Sequence, residues 1–570
     1  LIVIVSFTPG QRGQITRRKF GVDLSRSVRE RRGAAVLKVG IVDLIERQPS
    51  RTLYGRVVNA NFASIMPQAV GVWAERLGHE VQYIIYTGFE DLQRELPRDI
   101  DIVFVNAFTQ AAYLAYSISH LYRDRGVVTV LGGPHARAYP DDASGYFDYV
   151  IGLANEDLIA ELLADFAPNP SGGVYLSALR QPTTLPGVRD RWKFVQKTLA
   201  KTRIVHVVQM LGSLGCPYSC NFCIDAEIDY QTMSYDQLRE DLIFLQTRPR
   251  PPMVAWVDPN FGVRFNDYMD VIESVVPSGK LEFACESSLS LLSEPHLKRM
   301  KQNRFQMVFP GVESWFDYNN KAKQRKTDTG LEKVKQVADH CNLIMQYVPY
   351  LQTNFIFGWD SDAGAEPFEL TKRFLDLAPG VYPKYSLLTA FGASAPLSRQ
   401  YIREDRLLDV PFQFLDGYSG INVKTKNYTH AELFEHMTDL MEYTVSPGMV
   451  WRRFRANRSA LARYGNLLRA RSKERNAGAG QGMVDHYREM HQRLRGDPEF
   501  IAFFAGETTR PPDYYVRKIQ EALGPLVDHL PAKVLAYLRS GEAAPNPRIS
   551  LSTRAPSPAV QRGASVDRVA

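Results

Sequence analysis

The sequence has little that a membrane span or a secreted disulfide scaffold would need. No stretch of its 570 residues approaches the roughly 18 consecutive apolar positions of a transmembrane helix, and the opening Leu1 to Val5 run is far too short. Cysteine occurs only five times, and three of the five fall within eight positions. Such usage excludes a disulfide framework and predicts a reducing, cytoplasmic setting with one local soft-metal site. A charge bias is missing as well. The formal charge is +7, but residues 1–36 carry +6 and residues 541–570 carry +2, which leaves 37–540 at −1. Basic tails of this kind are usually solvated, so no nucleic-acid partner is expected, and with no apolar run of spanning length no membrane partner is expected either. The chain begins with Leu and has no charged segment ahead of a long apolar stretch, so its start reads as misplaced or truncated rather than as a targeting segment.

What is present is 45% hydrophobic and 23% charged residues, enough for several cores, with a length prior of roughly four domains. From Lys38 the runs KVGIVDLI, VQYIIY, DIDIVFVNAF, GVVTVLGG and FDYVIG alternate with helical patterns such as Gln68–Leu77 and Ala111–Arg123. This alternation predicts a doubly wound parallel sheet over 37–165, with ligands at the carboxyl ends of the strands, in the loops after Asn106 and Leu131. APNPSGG opens an expected linker, 166–195. A second alternation, RIVHVVQML, MVAWVD, LEFACES, FQMVFPGVES, TNFIFGW and YSLLTAF with helices between, predicts a full or partial α/β barrel over 196–400. The fold class is therefore α/β throughout, followed by a mainly helical region at 401–540. The 1–36 extension and the 541–570 tail are expected to be disordered. The Arg-rich stretch within Met449–Arg475, taken as one helix, reads by default as a solvated face, or else as a cationic wall for an anionic substrate.

Just after the first barrel strand comes LGSLGCPYSCNFC, with Cys216, Cys220 and Cys223 spaced i, i+4, i+7. Gly215 and Pro217 favour a loop over a helix, and a loop can wrap its ligands around a cluster. Three thiolates suit an iron–sulfur cluster with one iron left open, since a four-iron cluster has four corners. The competing readings are a three-Cys zinc site completed by His, and inert thiols. Zinc sites generally pair cysteines, and neither Cys285 nor Cys341 supplies a second pair.

CxxxCxxC with an aromatic, Phe222, before the third Cys resembles the signature of the radical S-adenosylmethionine (SAM) enzymes. The resemblance implies a 4Fe-4S cluster on Cys216, Cys220 and Cys223, whose open iron chelates SAM, and reductive cleavage of SAM to a 5′-deoxyadenosyl radical. It also implies roles for strand-end residues: Asp258 and Asn260 toward the SAM amino group, Glu313 in Gly311-Val-Glu-Ser toward SAM, and Gly358 for close approach of the adenine. Residues 38 to about 165 resemble the cobalamin-binding domain that precedes many such barrels. There Gly132, Gly133 and Pro134 in LGGPHA, with Thr109 on the neighbouring loop, are implied to border the cofactor's nucleotide tail. Two departures stand out. No His has an Asp two positions before it, so the D-x-H-x-x-G lower-ligand motif is absent, and the usual G-E-G-E stretch has become Gly152-Leu-Ala-Asn-Glu156.

The resemblance implies a cobalamin-dependent radical SAM enzyme that methylates an unactivated carbon of a small molecule, served by an external one-electron reductant such as flavodoxin or ferredoxin. The rivals are a cyclase or rearrangement enzyme that keeps both cofactors, an RNA-modifying methylthiotransferase, and a non-catalytic cobalamin or redox sensor. The absence of any Cys before Cys216 and the neutral body argue against the methylthiotransferase.

Overall fold

Strands buried on both faces read as continuous apolar runs, and here they assemble into two largely parallel sheets joined by one core. The computed structural model describes residues 3–5, 15–16, 36–50, 63–201, 206–276, 279–316, 330–473 and 480–542. The first sheet contains β1 (Val3–Val5), β2 (Ile15–Thr16), β3 (Lys38–Leu44), β4 (Glu80–Tyr86), β5 (Ile102–Ala107), β6 (Val128–Gly132), β7 (Tyr149–Ile151) and β8 (Val174–Ser177). Its order is β2-β1-β8-β7-β6-β5-β3-β4. Strands β3 to β8 are parallel, and β1 adds antiparallel to β8. The order reverses between β3 and β5, so the ligand crevice of this sheet lies outside the carboxyl ends of those strands.

Side-chain alternation divides β3 between two cores. Val39 and Ile41 pack with Trp73, Phe104, Leu162 and Phe194 on one face. Val42 and Leu44 pack with Val105, Ala115 and Ile118 on the other, in a core that runs without interruption into the barrel and the C-terminal helices. The predicted linker is more than a connection. Its VYLS is β8, the sixth parallel strand, and it leads into the helix Val188–Leu199, which lays Phe194 on the sheet. Of the 1–36 extension, β1 and β2 are strands; the rest of it up to residue 35, and the tail from residue 543, lie outside the described residues.

The second sheet contains β9 (Val207–Met210), β12 (Met253–Trp256), β13 (Glu282–Cys285), β14 (Phe305–Val308), β15 (Gly311–Glu313), β16 (Tyr350–Phe357) and β17 (Tyr382–Leu387). A small ribbon, β10 (Ser213–Leu214) with β11 (Gln231–Thr232), follows β9. The order β9-β12-β13-β14-β16-β17 is parallel throughout, a partial barrel. FQMVFPGVES, predicted as one strand, is two: Pro310 has no N–H for the ladder, and β16 pairs first with β14 and then with β15. Met449–Arg475 likewise splits into Pro447–Ala456 and Ala460–Arg471, where Asn457 turns back to Gly380 O and the Ser459 side chain caps the second helix. Among the described residues no helix is long and apolar enough to cross a membrane.

Candidate functional site

The Cys loop is held open by a short ribbon and closed by backbone. Ser213 pairs with Thr232 and Leu214 with Gln231, so the segment from Gly215 to Tyr230 leaves and re-enters the fold at one place. Gly215 has φ +68°, and a Cβ there would lie 2.5 Å from Asp229 O. No other residue fits without moving the far limb of the loop. Within the loop Cys223 N–H donates to Cys220 O at 3.0 Å, winding the chain into successive turns. Cys216 is buried, and Cys220 and Cys223 are half-buried. None of the five cysteines is in a disulfide. Cys285 and Cys341 differ in kind: both lie in the apolar core, and burial pushes each thiol well up, which keeps them protonated and inert. Among the described residues no three His, Cys, Asp or Glu side chains are drawn close enough to grip an ion as they stand. The loop instead offers three soft donors on one short tether.

Contacts around the barrel mouth join this loop to the other predicted positions. Asp258, at the end of β12, is fully buried and spends its carboxylate on the protein. Oδ2 accepts from Gly212 N–H at 2.9 Å, while Oδ1 accepts from the Ser213 hydroxyl at 2.7 Å and Tyr268 OH at 3.1 Å. In this arrangement Asp258 clamps the entry to the Cys loop. Asn260 is also buried and joins β12 to the end of β13, donating to the Ser288 hydroxyl and accepting from Ser288 N–H at 3.1 Å. Ser288 bridges to Gly311, and Gly311 leads into Glu313. Glu313 has φ +66°, a left-handed backbone that costs a non-glycine residue on the order of 1–3 kcal/mol and is concentrated at functional sites. Its carboxylate folds over Gly311, where a Cβ would sit 1.9 Å from Oε1, so a side chain there would displace the acid from this position.

Gly358 has φ +97° just past β16, and a Cβ there would meet only ordinary contacts at 3.5 Å. The glycine is therefore required by the turn. Its N–H and that of Trp359 both donate to the buried Asp362 carboxylate, at 3.0 and 3.1 Å. Trp359 then meets Phe222 edge-on at 5.4 Å, which ties the aromatic of the Cys motif to the end of β16.

Burial raises Asp258 to about 6, against the opposing effect of its three donors. The folded state therefore holds this proton more tightly than the unfolded chain. The contribution to stability is complete below the unfolded carboxylate value near 4 and is lost as pH rises through about 6. Asp258→Asn is expected to remove one proton from that linkage. The pH slope of unfolding free energy between pH 4 and 6 should become less negative by about 1 kcal/mol per pH unit, measured by urea melts at stepped pH. An unchanged slope would contradict this assignment.

The first sheet brings its own strand ends to the same place. Asp43 and Asn106, on β3 and β5 at the reversal point, share a bond of 2.8 Å. Ser64 N–H and, at 3.4 Å, Tyr83 OH also donate to Asp43, which burial raises to about 6. Neither residue belongs to a motif, although an Asp and an Asn inside the apolar runs KVGIVDLI and VFVNAF are visible signals, and Asn106 marks the end of a predicted strand. Gly133 has φ +93°, and a Cβ there would be 2.3 Å from Asn106 Oδ1. At Gly132, paired with Asn106, a Cβ would meet nothing within 4 Å, so open space faces this strand end. Thr109 is buried at the start of the turn after β5, and Pro134 opens the helix Pro134–Ala138. That helix reaches the Cys loop, where Arg137 donates to Ile224 O at 3.3 Å and lies 3.4 Å from Asp225 Oδ1. Behind it, Gly392 comes so close to Ala138 O that a Cβ would be 2.0 Å away. The departed Gly152–Glu156 stretch has a local use, since Asn155 caps the helix Glu156–Ala164.

No family model matches the chain. It is 22% identical over 307 residues to bacteriochlorophyllide d C-12(1)-methyltransferase of Chlorobaculum tepidum, covering 52% of this chain and 65% of that one. It is 25% identical over 321 residues to hopanoid C-2 methylase of Rhodopseudomonas palustris, covering 54% and 58%. The match thus spans less than two thirds of either relative. In fold it is similar to the radical S-adenosylmethionine methyltransferase TsrM from Kitasatospora setae, solved with cobalamin and a 4Fe-4S cluster bound. That likeness has a TM-score of 0.52 and 14% identity, over 80% of this chain and all of the other.

Proposed function

We propose that this chain, whose fold is that of the radical SAM enzymes carrying a cobalamin-binding domain, is a cobalamin-dependent radical SAM methyltransferase acting on an unactivated carbon of a small molecule. One observation carries the reading: the glycine-lined end of β6 leads directly into the helix whose Arg137 touches the Cys loop. Two cofactors bound at these places would share one cavity, which methyl transfer needs and cleavage of SAM alone does not.

The residues present fit both groups. Cys216, Cys220 and Cys223 supply three thiolate donors on a loop that Gly215 and Asp258 hold in shape, leaving a fourth corner to an exogenous ligand. The open space at Gly132, bordered by Gly133, Pro134 and Thr109, suits a long ligand tail laid along the carboxyl edge of the sheet. When bound, the cluster with SAM would supply one-electron cleavage of a carbon–sulfur bond, and cobalamin a methyl carrier; an external carrier such as flavodoxin or ferredoxin would supply the electrons. The chain's own part is positioning. Asp258 fixes where the Cys loop starts, Phe222 on Trp359 fixes its far side, and the strained Glu313 presents a carboxylate at the mouth for the SAM amino or ribose groups. Asn260 ties the end of β12 to Ser288 after β13. The two named relatives modify a bacteriochlorophyllide and a hopanoid, which favours an extended, largely apolar substrate.

Protein reconstituted with iron, sulfide and hydroxocobalamin, then given trideuteromethyl-SAM and reductant, is expected to carry label into the corrinoid fraction. Cleavage of SAM without label in that fraction would favour the cyclase or rearrangement reading.

A further inference from the structure

Among the described residues, three of the exposed large apolar side chains lie on two consecutive helices. Trp451, Leu461 and Tyr464 are 59%, 56% and 64% exposed and lie on the consecutive helices Pro447–Ala456 and Ala460–Arg471. Phe454 joins the two helices. It stacks on Trp451 with centroids 5.7 Å apart, and Tyr464 meets it edge-on, also at 5.7 Å. The result is one continuous aromatic ridge, and its surroundings are basic. From Ser446 to Lys473 the chain contains seven Arg and one Lys and no Asp or Glu. Two of these arginines face inward. Arg453 donates to Val381 O and Thr444 O, and Arg469 to Tyr350 OH and Gln352, which fastens the helix pair to the amino ends of β16 and β17. Arg452 reaches Asp376, and Arg463 lies over the Phe454 ring. Arg455, Arg458 and Arg471 remain exposed around the ridge.

We propose that this helix pair is a docking surface for an anionic lipid membrane, which it enters by the ridge Trp451–Phe454–Tyr464 and Leu461 while the arginines meet the headgroups. Amphipathic rings with a polar edge favour the headgroup boundary, and exposed arginines around them add attraction to anionic lipid. A second copy of the chain is the poorer occupant. A two-fold contact sets the same patch against itself, and this patch would oppose arginine to arginine with no acid in the segment to relieve it. The surface concerns peripheral attachment, so it revises the expectation of no membrane partner without invoking a span. It lies at the amino ends of the barrel strands, opposite the Cys loop, and so leaves the mouth turned away from the bilayer.

The test is co-sedimentation of the full-length protein with vesicles of phosphatidylcholine alone and of phosphatidylcholine with phosphatidylglycerol. Binding is expected only to the anionic vesicles and should weaken as salt rises. Trp451→Ser with Leu461→Ser and Tyr464→Ser should lower the partition coefficient at least about tenfold. Arg455→Glu with Arg458→Glu should do the same through charge alone, and an unchanged far-UV spectrum and melting temperature would show that both variants fold. Both leave the basic residues of 1–36 in place. Wild-type binding retained by both variants would assign any lipid affinity to that extension and overturn the proposal. So would failure of the wild type to sediment, or a dimer that the apolar variant dissociates.

Discussion

Replacing Cys216, Cys220 and Cys223 together by alanine is expected to abolish iron and sulfide incorporation and to lower reductive SAM cleavage by more than about a hundredfold. The expectation follows from how the five thiols are divided. Cys285 and Cys341 lie in the apolar core, where burial holds them protonated, and a protonated thiol is a poor ligand. The other three share one loop between β10 and β11. Removing the trio therefore removes every thiol suited to hold a cluster. Cys285→Ala and Cys341→Ala serve as controls. Each takes a small side chain from a packed core, with an expected stability cost of about 1–2 kcal/mol and full retention of iron and sulfide. Iron retained by the triple variant, or lost on substitution at Cys285, would contradict the assignment.

The second large effect is expected at the first sheet. Gly132→Leu places a side chain where a Cβ now meets nothing within 4 Å, so the fold should accept it, whereas a ligand occupying that space would not. Cobalamin affinity is expected to fall at least about tenfold with the melting temperature unchanged, and SAM cleavage measured without cobalamin should persist. Gly133→Ala is the informative contrast. Its Cβ would come within 2.3 Å of Asn106 Oδ1 on a backbone with φ +93°, so stability itself should fall, by about 1–3 kcal/mol. Equilibrium dialysis with hydroxocobalamin beside thermal melts separates the two. A Gly132→Leu protein that binds cobalamin as tightly as the parent would remove this edge from the cofactor's path.

Legibility in the sequence followed the range of the interactions. The alternation of strands and helices could be read because strands buried on both faces are mostly apolar, as in the VFV of β5 and the FIF of β16. The Cys loop was legible because its chemistry is local, three thiols and a glycine within a few residues of one another. Gly311 and Glu313 were legible as a motif, but the folding of the acid back over the glycine was not. What stayed hidden depends on distant partners. The sequence marks Asp258 as an acid at a strand end, but not that Gly212, Ser213 and Tyr268 donate to it. β8 hid in a Gly- and Pro-rich stretch because four residues carry little periodicity; their identity as a strand comes from pairing with β7. Arg137 resembles any exposed Arg until the two domains are set together, and Trp359 any core Trp until the end of β16 is set beside the Cys loop.

The most direct measurement is electron paramagnetic resonance of the anaerobically reconstituted and reduced protein, recorded before and after addition of SAM. The account predicts the signal of a reduced 4Fe-4S cluster whose g values shift when SAM occupies the corner the chain leaves open. A protein that takes up no inorganic sulfide, or whose cluster signal is indifferent to saturating SAM, would contradict it.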